Sequence, residues 1–409
     1  MNTRHILVAN VFFAPFSYGG ATVVAEQVAQ ALIRQGGFRV TAVSLCMRKE
    51  LADYSVIKSQ KNGVVNYLIN VPEHRKYGEM YDNPEITERL AELISALQPD
   101  MVHAHCIQDI GVGIITAAED SGVPVVLSVH DFWWLCERQF MIRLNGTYCA
   151  QDPVRIENCK GCVDNFWAAK MRFNHLQQMS SRVALVTYPS SFAKTLSERS
   201  GFAPGLGVVW ENGVNQPATD FAKKQSARRM RDKRITFGYL GGPAHIKGWP
   251  QVRQVFESLN RSDFRAIVVD GSLDQTWWSE RDLKGLKGDW AIYPRFDQAQ
   301  MDDFYAEIDV LLFTSQWKET FGLAIREALA RGIEVIQTDS GGTVEHGTIP
   351  HHKLVPIGTE TGPLKDQILG CLETGVRGQR PKQVASFDDQ ARAFVQLVEQ
   401  VLGGEEKAA

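Results

Sequence analysis

The chain has 409 residues, a length that suggests two or three domains of ordinary size. Hydrophobic residues make up 44% and charged residues 22%, as in a globular protein, and a formal net charge of −3 gives no basic surface for nucleic acid. No run of 18 apolar residues is there to span a membrane, the N-terminus lacks a signal peptide's apolar core, and seven scattered cysteines do not make a secreted disulfide framework, so a cytoplasmic protein is expected.

Residues 5–11 read as a buried first strand. A loop ending in Gly19-Gly20 follows, then a helix over 21–35 stopped by Gly36-Gly37, then a second strand over 39–46. The glycine pair stands where a strand gives way to a helix, so bare backbone there can touch phosphate or sugar; ordinary turns use glycine equally. A helix over 86–97, a strand near 101–105, a helix reaching about Asp120 and a short strand over 125–129 continue the alternation, which implies a parallel sheet. The last of these strands runs into His130-Asp131. Ligands of parallel α/β sheets bind at the carboxyl ends of strands, which puts His130 in a functional place. The alternative is a buried histidine bonded to backbone.

Residues 136–164 form an insert. Cys136, Cys149, Cys159 and Cys162 fall within it, the last two as Cys-x2-Cys, and a structural Zn²⁺, free thiols or a disulfide all fit that pattern. Asn145-Gly146 signals a hairpin turn. Phe132, Trp133, Trp134, Phe140, Phe166 and Trp167 flank the insert, as lining for an acceptor or as its own core. A strand over 184–187 and a helix from Pro189 follow, and Asn212-Gly213-Val214 closes this half. Residues 223–234 are strongly basic with one acid, Asp232, and mark a domain boundary; an anionic membrane surface or plain solvent suits such a segment.

A second strand–loop–helix series begins at residues 235–240. Its loop, Gly241 to Gly248, carries Lys247 and His245 and suits a phosphate, although a solvated lysine in a glycine-rich turn has the same sequence; the spacing is not that of a Walker A loop. Strands follow over 264–270 and 291–296, the latter holding Arg295. The apolar run 308–315 is another strand, succeeded by Glu319-Thr320-Phe321-Gly322-Leu323-Ala324-Ile325-Arg326-Glu327 and a helix capped by Gly332. The helix start leaves backbone N–H groups unpaired, Gly322 lets a ligand approach that backbone, and the amino end of the helix favours a phosphate. Glu319 falls in the loop and Glu327 about two turns into the helix, so two carboxylates flank the phosphate place. A strand over 333–338 and a last amphipathic helix over 387–402 complete the order, with a tail over 403–409 expected to fray.

The segment Glu319 to Glu327, with Asp339-Ser340-Gly341-Gly342-Thr343-Val344-Glu345 after the next strand, resembles the donor-binding signature of retaining glycosyltransferases of family 4. The resemblance implies the α/β GT-B fold: two Rossmann-like domains facing across a cleft, with the C-terminal helix crossing back to the N-domain. The domains are then 1–217 on the acceptor side, 218–384 for the nucleotide sugar, and 385–409 for the crossover helix and tail. It also implies roles. Glu319 and His130 act at the donor sugar, with Asp131 holding the site. Gly19, Gly20, Lys247, Arg295, Thr320, Phe321, Gly322 and Leu323 bind the donor, and Glu327 binds its ribose. One position departs from the pattern: where the family has an Arg five residues before the Lys, this chain has Gly242.

The expected function is transfer of a hexosyl unit from a GDP- or UDP-sugar to a glycan or lipid-linked acceptor, with retention. No Asp-x-Asp stands at a strand end, so no metal and no cofactor is expected. Bacterial surface polysaccharide synthesis, with peripheral membrane association, is the setting implied. A non-catalytic sugar-nucleotide-binding subunit is the rival, which Gly242 favours. An NAD-dependent dehydrogenase is disfavoured because no Gly-x-Gly-x-x-Gly follows the first strand.

Overall fold

Short apolar runs alternating with helices build two separate parallel sheets in the computed structural model, which describes residues 3–376 and 379–405. In chain order the elements are β1 (Arg4–Ala9), α1 (Gly20–Gln35), β2 (Phe38–Cys46), β3 (Val56–Lys61), β4 (Val64–Asn70), α2 (Pro84–Leu97), β5 (Met101–Ala104), α3 (Gly113–Asp120), β6 (Val125–Ser128), α4 (Phe166–Ser180), β7 (Leu185–Tyr188), α5 (Ser191–Arg199) and β8 (Gly207–Val209). There follow α6 (Phe221–Arg231), β9 (Ile235–Tyr239), α7 (Trp249–Ser258), β10 (Phe264–Val269), α8 (Glu280–Leu283), β11 (Asp289–Tyr293), α9 (Met301–Glu307), β12 (Val310–Phe313), α10 (Leu323–Ala330), β13 (Glu334–Gln337), α11 (Gly362–Thr374) and α12 (Phe387–Glu405). The tail expected to fray is helical as far as Glu405, and its last residues, 406–409, lie outside the described residues.

The first unit gathers the described residues up to Phe140, Ala150–Gly213 and those from Ala385 onward. Its sheet runs β3-β4-β2-β1-β5-β6-β7-β8, parallel except for the β3–β4 hairpin at one edge. β5, β6 and β7 are buried at every residue, as strands covered by helices on both faces must be. The C-terminal helix α12 returns to this unit. Gln390 accepts from the Gly213 amide at 2.8 Å, its backbone carbonyl accepts from Trp210 Nε1 at 3.0 Å, and Phe394 stacks on His103 at 4.2 Å.

The second unit comprises Met141–Cys149 and Val214–Val384, with an all-parallel sheet in the order β11-β10-β9-β12-β13. Alternation along each strand splits its core in two. Phe237, Val268, Val310 and Leu312 pack with Trp249, Phe256 and Ile368 on one face. Ile267, Leu311 and Val335 pack with Phe304, Ile325 and Leu329 on the other.

Two of the alternatives left open by the sequence are narrowed in the fold. The basic segment forms α6 and the turn after it and is largely exposed, as a solvated surface is, with Arg228 its one buried cation and several of its charges paired with carboxylates of the same unit. Arg228 and Arg229 converge on the buried Asp309 at 2.9 Å, Lys224 pairs with Asp303, and Arg234 with Asp232 and Asp289. The four cysteines of the insert hold neither a disulfide nor a metal cluster. All are free thiols, and among the described residues no three His, Cys, Asp or Glu side chains gather as a metal site. The Asn145-Gly146 hairpin is formed, with Arg143 N bonded to Thr147 O and Ile142 bridged to Tyr148.

Candidate active site

In the second unit the chain leaves β12 at Phe313 and reaches α10 through a loop that is stitched down at both ends. Glu319 N donates to Ser340 O, and Gly342 N donates to Glu319 O, so the loop pairs with the Gly341-Gly342 turn after β13. Arg326, 1% exposed inside α10, fastens the same two loops through the carbonyls of Phe321, Gly342 and Thr343. Its guanidinium lies 4.1 Å over the Phe321 ring. Thr320 and Phe321 are therefore buried, whereas Gly322, with φ of 87°, and Leu323 remain half-buried at the amino end of α10. That end presents backbone amides.

Beside it, Lys247 Nζ is ion-paired with Glu319 Oε1 at 2.8 Å, and Ser315 Oγ donates to the same oxygen at 2.5 Å. The Lys247 turn is itself anchored, its carbonyl accepting from Tyr239 and Thr314 hydroxyls at 3.0 Å. Gly241, Lys247, Thr314, Ser315 and Ala324 line a cavity of about 190 Å³ at the carboxyl ends of β9 and β12. One helical turn into α10, Glu327 is 8% exposed and accepts from the Tyr305 hydroxyl at 2.9 Å. Burial pushes its carboxyl up.

In the first unit, His130 follows the end of β6. Its Nε2 lies 2.9 Å from His105 Nδ1, with the two rings 13° from coplanar. The row continues inward: His105 Nε2 to His103 Nδ1 at 3.3 Å, His103 Nε2 to Ser128 Oγ at 2.8 Å, Ser128 Oγ to Thr187 Oγ1 at 2.7 Å. Burial holds all three imidazoles below the usual range, His130 at about 4 and His103 at about 3. Asp131 is half-buried and accepts from Trp133 N, Gln108 Nε2 and Gln139 Nε2, which ties the loops around His130 together. Gly19, φ 83°, caps α1 ahead of Gly20.

Comparison with known proteins adds the decisive observation. Residues 18–216 match the model of "Glycosyltransferase Family 4", and residues 220–349 match that of "Glycosyl transferases group 1". The chain is a GT-B glycosyltransferase of the family 4 type. An uncharacterized 42.6 kDa protein in the cps region of Klebsiella pneumoniae is 21% identical over 83% of this chain and 87% of its own length. A GDP-mannose-dependent alpha-mannosyltransferase of Mycobacterium tuberculosis is 25% identical over 69% and 67%. Among solved structures, a glycosyltransferase from Rickettsia africae superposes with a TM-score of 0.65 at 17% identity, over 98% of this chain and 99% of its own. Anabaena HepE in complex with UDP and glucose gives 0.63 at 17% identity, over 99% of each chain.

Within this glycosyltransferase the structure brings Lys247, Glu319, Gly322 and Leu323 together, with Glu327 one turn along α10 rather than two. Arg295 is elsewhere: it is exposed, two residues beyond the edge strand β11, with β10 and β9 between that strand and β12. Gly242 also has a physical account. Its φ is 67°, and a Cβ there would meet Trp277 Cε3 at 2.8 Å, so the place of the family's arginine is filled by an indole. Sequence reading passed over Tyr305, Ser315, Arg326 and Trp277. It also passed over His105, although His103 and His105 alternate on one strand face as period two requires.

Proposed function

We propose that this glycosyltransferase moves a hexosyl unit from a nucleotide sugar to a glycan or lipid-linked acceptor, with retention of configuration and without a metal ion. The observation that carries the proposal is the Lys247–Glu319 pair set against the amino end of α10. A diphosphate arriving there meets helix amides and competes with Glu319 for the Lys247 ammonium, which frees Glu319 to accept a hydrogen bond from a sugar hydroxyl. Stabilising the departing diphosphate is the main electrostatic task of such a transfer. Glu327, buried behind that site, is assigned to the ribose, and His130 with Asp131 behind it to the sugar. Support for the donor class comes from the relatives, one named for GDP-mannose and one solved with UDP-glucose. Support for surface polysaccharide assembly comes from the relative in a cps region. Retention follows from the family resemblance.

A panel of nucleoside diphosphates and sugar nucleotides in a thermal-shift assay tests the donor, since a selective ligand raises the melting temperature by mass action. Release of nucleoside diphosphate on adding acceptor tests transfer. A second reading, a non-catalytic sugar-nucleotide-binding subunit, is favoured by Gly242 and its covering Trp277; it predicts a thermal shift with no release.

A further inference from the structure

The row that ends at His130 has a direction, and its buried end supplies it. Thr187 is 1% exposed, and among the described residues its hydroxyl has one partner, Ser128 Oγ. If Ser128 donated to Thr187, the Thr187 proton would have no acceptor, and a buried donor left unpaired is the costlier error. Thr187 therefore donates to Ser128. The Ser128 proton then goes to its other partner, His103 Nε2. A neutral imidazole has one N–H and one bare nitrogen, so His103 carries its proton on Nδ1 and donates to His105 Nε2. His105 likewise carries its proton on Nδ1 and donates to His130 Nε2.

We infer that this row fixes His130 as the Nδ1–H tautomer, so that toward the transferred sugar it is a neutral hydrogen-bond donor and not a base. Its Nε2 lone pair is already engaged by His105, and the nearly coplanar rings give that bond a straight in-plane path. Burial keeps the whole row uncharged. Phe394 of α12 covers His103 and keeps water from supplying a competing proton. Ser128, His103 and His105 are thus positioning residues acting through His130. The contact with sugar rests on the function proposed above; the tautomer does not.

Histidine-selective ¹⁵N labelling reads this directly, because protonated and bare ring nitrogens have distinct shifts. The chain has ten histidines, and His130→Gln identifies the His130 signals. The expected result is a protonated Nδ1 and a bare Nε2 at His130 in the full chain at neutral pH. Ser128→Ala removes the proton donor into the row, so His130 should become a mixture of tautomers. In the transfer assay its kcat should fall, by no more than the roughly 10²-fold at the lower end for one catalytic proton contact, with donor KM little changed. A His130 protonated on Nε2, or a Ser128→Ala protein that keeps the single Nδ1–H signature, overturns the inference. Correct tautomers in a protein that releases no nucleoside diphosphate instead leave the row standing and remove the transferase reading.

Discussion

Glu327 answers to two partners, the Tyr305 hydroxyl it already holds and the ribose assigned to it. Glu327→Gln keeps the volume and one acceptor oxygen but removes the charge. Nucleotide affinity should fall by about 1.5–3 kcal/mol, the range for a hydrogen bond to a charged group. Calorimetry on a folded variant checks this, and unchanged affinity removes the ribose role. At Gly242 the obstacle is twofold, a left-handed backbone and an indole in contact. Restoring the family's residue as Gly242→Arg should destabilise the protein by roughly 1–2 kcal/mol from the backbone alone. Pairing it with Trp277→Ala should recover the remainder by opening the space. A Gly242→Arg protein as stable as its parent, by denaturant unfolding, would show that Trp277 yields freely.

At the scale of elements, β5, β6 and β7 carry the buried row, and their contribution to stability depends on pH. The ordinary imidazole value is 6.5, and His103 is lowered to about 3 by burial first and by His130 second. The unfolded chain therefore binds more protons between these values. The stability contribution is complete above about pH 6.5 and is lost as pH falls toward the folded value. His103→Gln should flatten the acid limb of stability against pH by up to about 1.4 kcal/mol per pH unit, one proton's worth. Comparing variant with parent isolates His103 from Asp131 and Glu327, whose burial-raised carboxyls titrate with the opposite sign. Equal slopes for variant and parent would show that His103 is charged when folded.

The βα alternation was legible in the sequence because buried parallel strands are short apolar runs and the helices carry caps. The β3–β4 hairpin went unread although Asn62-Gly63 is its turn signal, because β3 is mostly exposed and polar and shows no apolar run. Helix α6 went unread because its charges looked surplus; the carboxylates that pair with them, Asp303 and Asp309, lie far along the chain. The same distance hid the Tyr305–Glu327 contact. Glu319, Lys247 and the α10 start were legible because their pattern is local to strand–loop–helix turns.

Over the whole molecule, Lys247, Glu319 and Glu327 belong to one unit and His130 to the other, and their mutations should separate. His130→Ala should lower turnover by roughly 10²-fold, the scale of one transition-state contact. Nucleoside-diphosphate affinity should be unchanged, since Lys247 and Glu327 lie in the second unit. Parallel kinetics and calorimetry check this; a joint fall of both quantities contradicts it. Ending the chain after Val384 removes Phe387, Phe394 and Val398, all buried, together with Gln390. At about 1.5–3 kcal/mol per large buried apolar side chain, the loss approaches a domain's entire margin of 5–15 kcal/mol. The first unit's calorimetric transition should disappear while the second's persists, and a shortened chain retaining both transitions refutes it. The return of α12 also sets an order of events at the ribosome. The first unit leaves the tunnel first, yet lacks its closing helix until α12 is translated, by which point nearly all of the second, being contiguous, is already made. Phe394 reaches His103 only then, so the histidine row is sealed after the second unit has been made, and a chain stopped short of α12 has no finished His130.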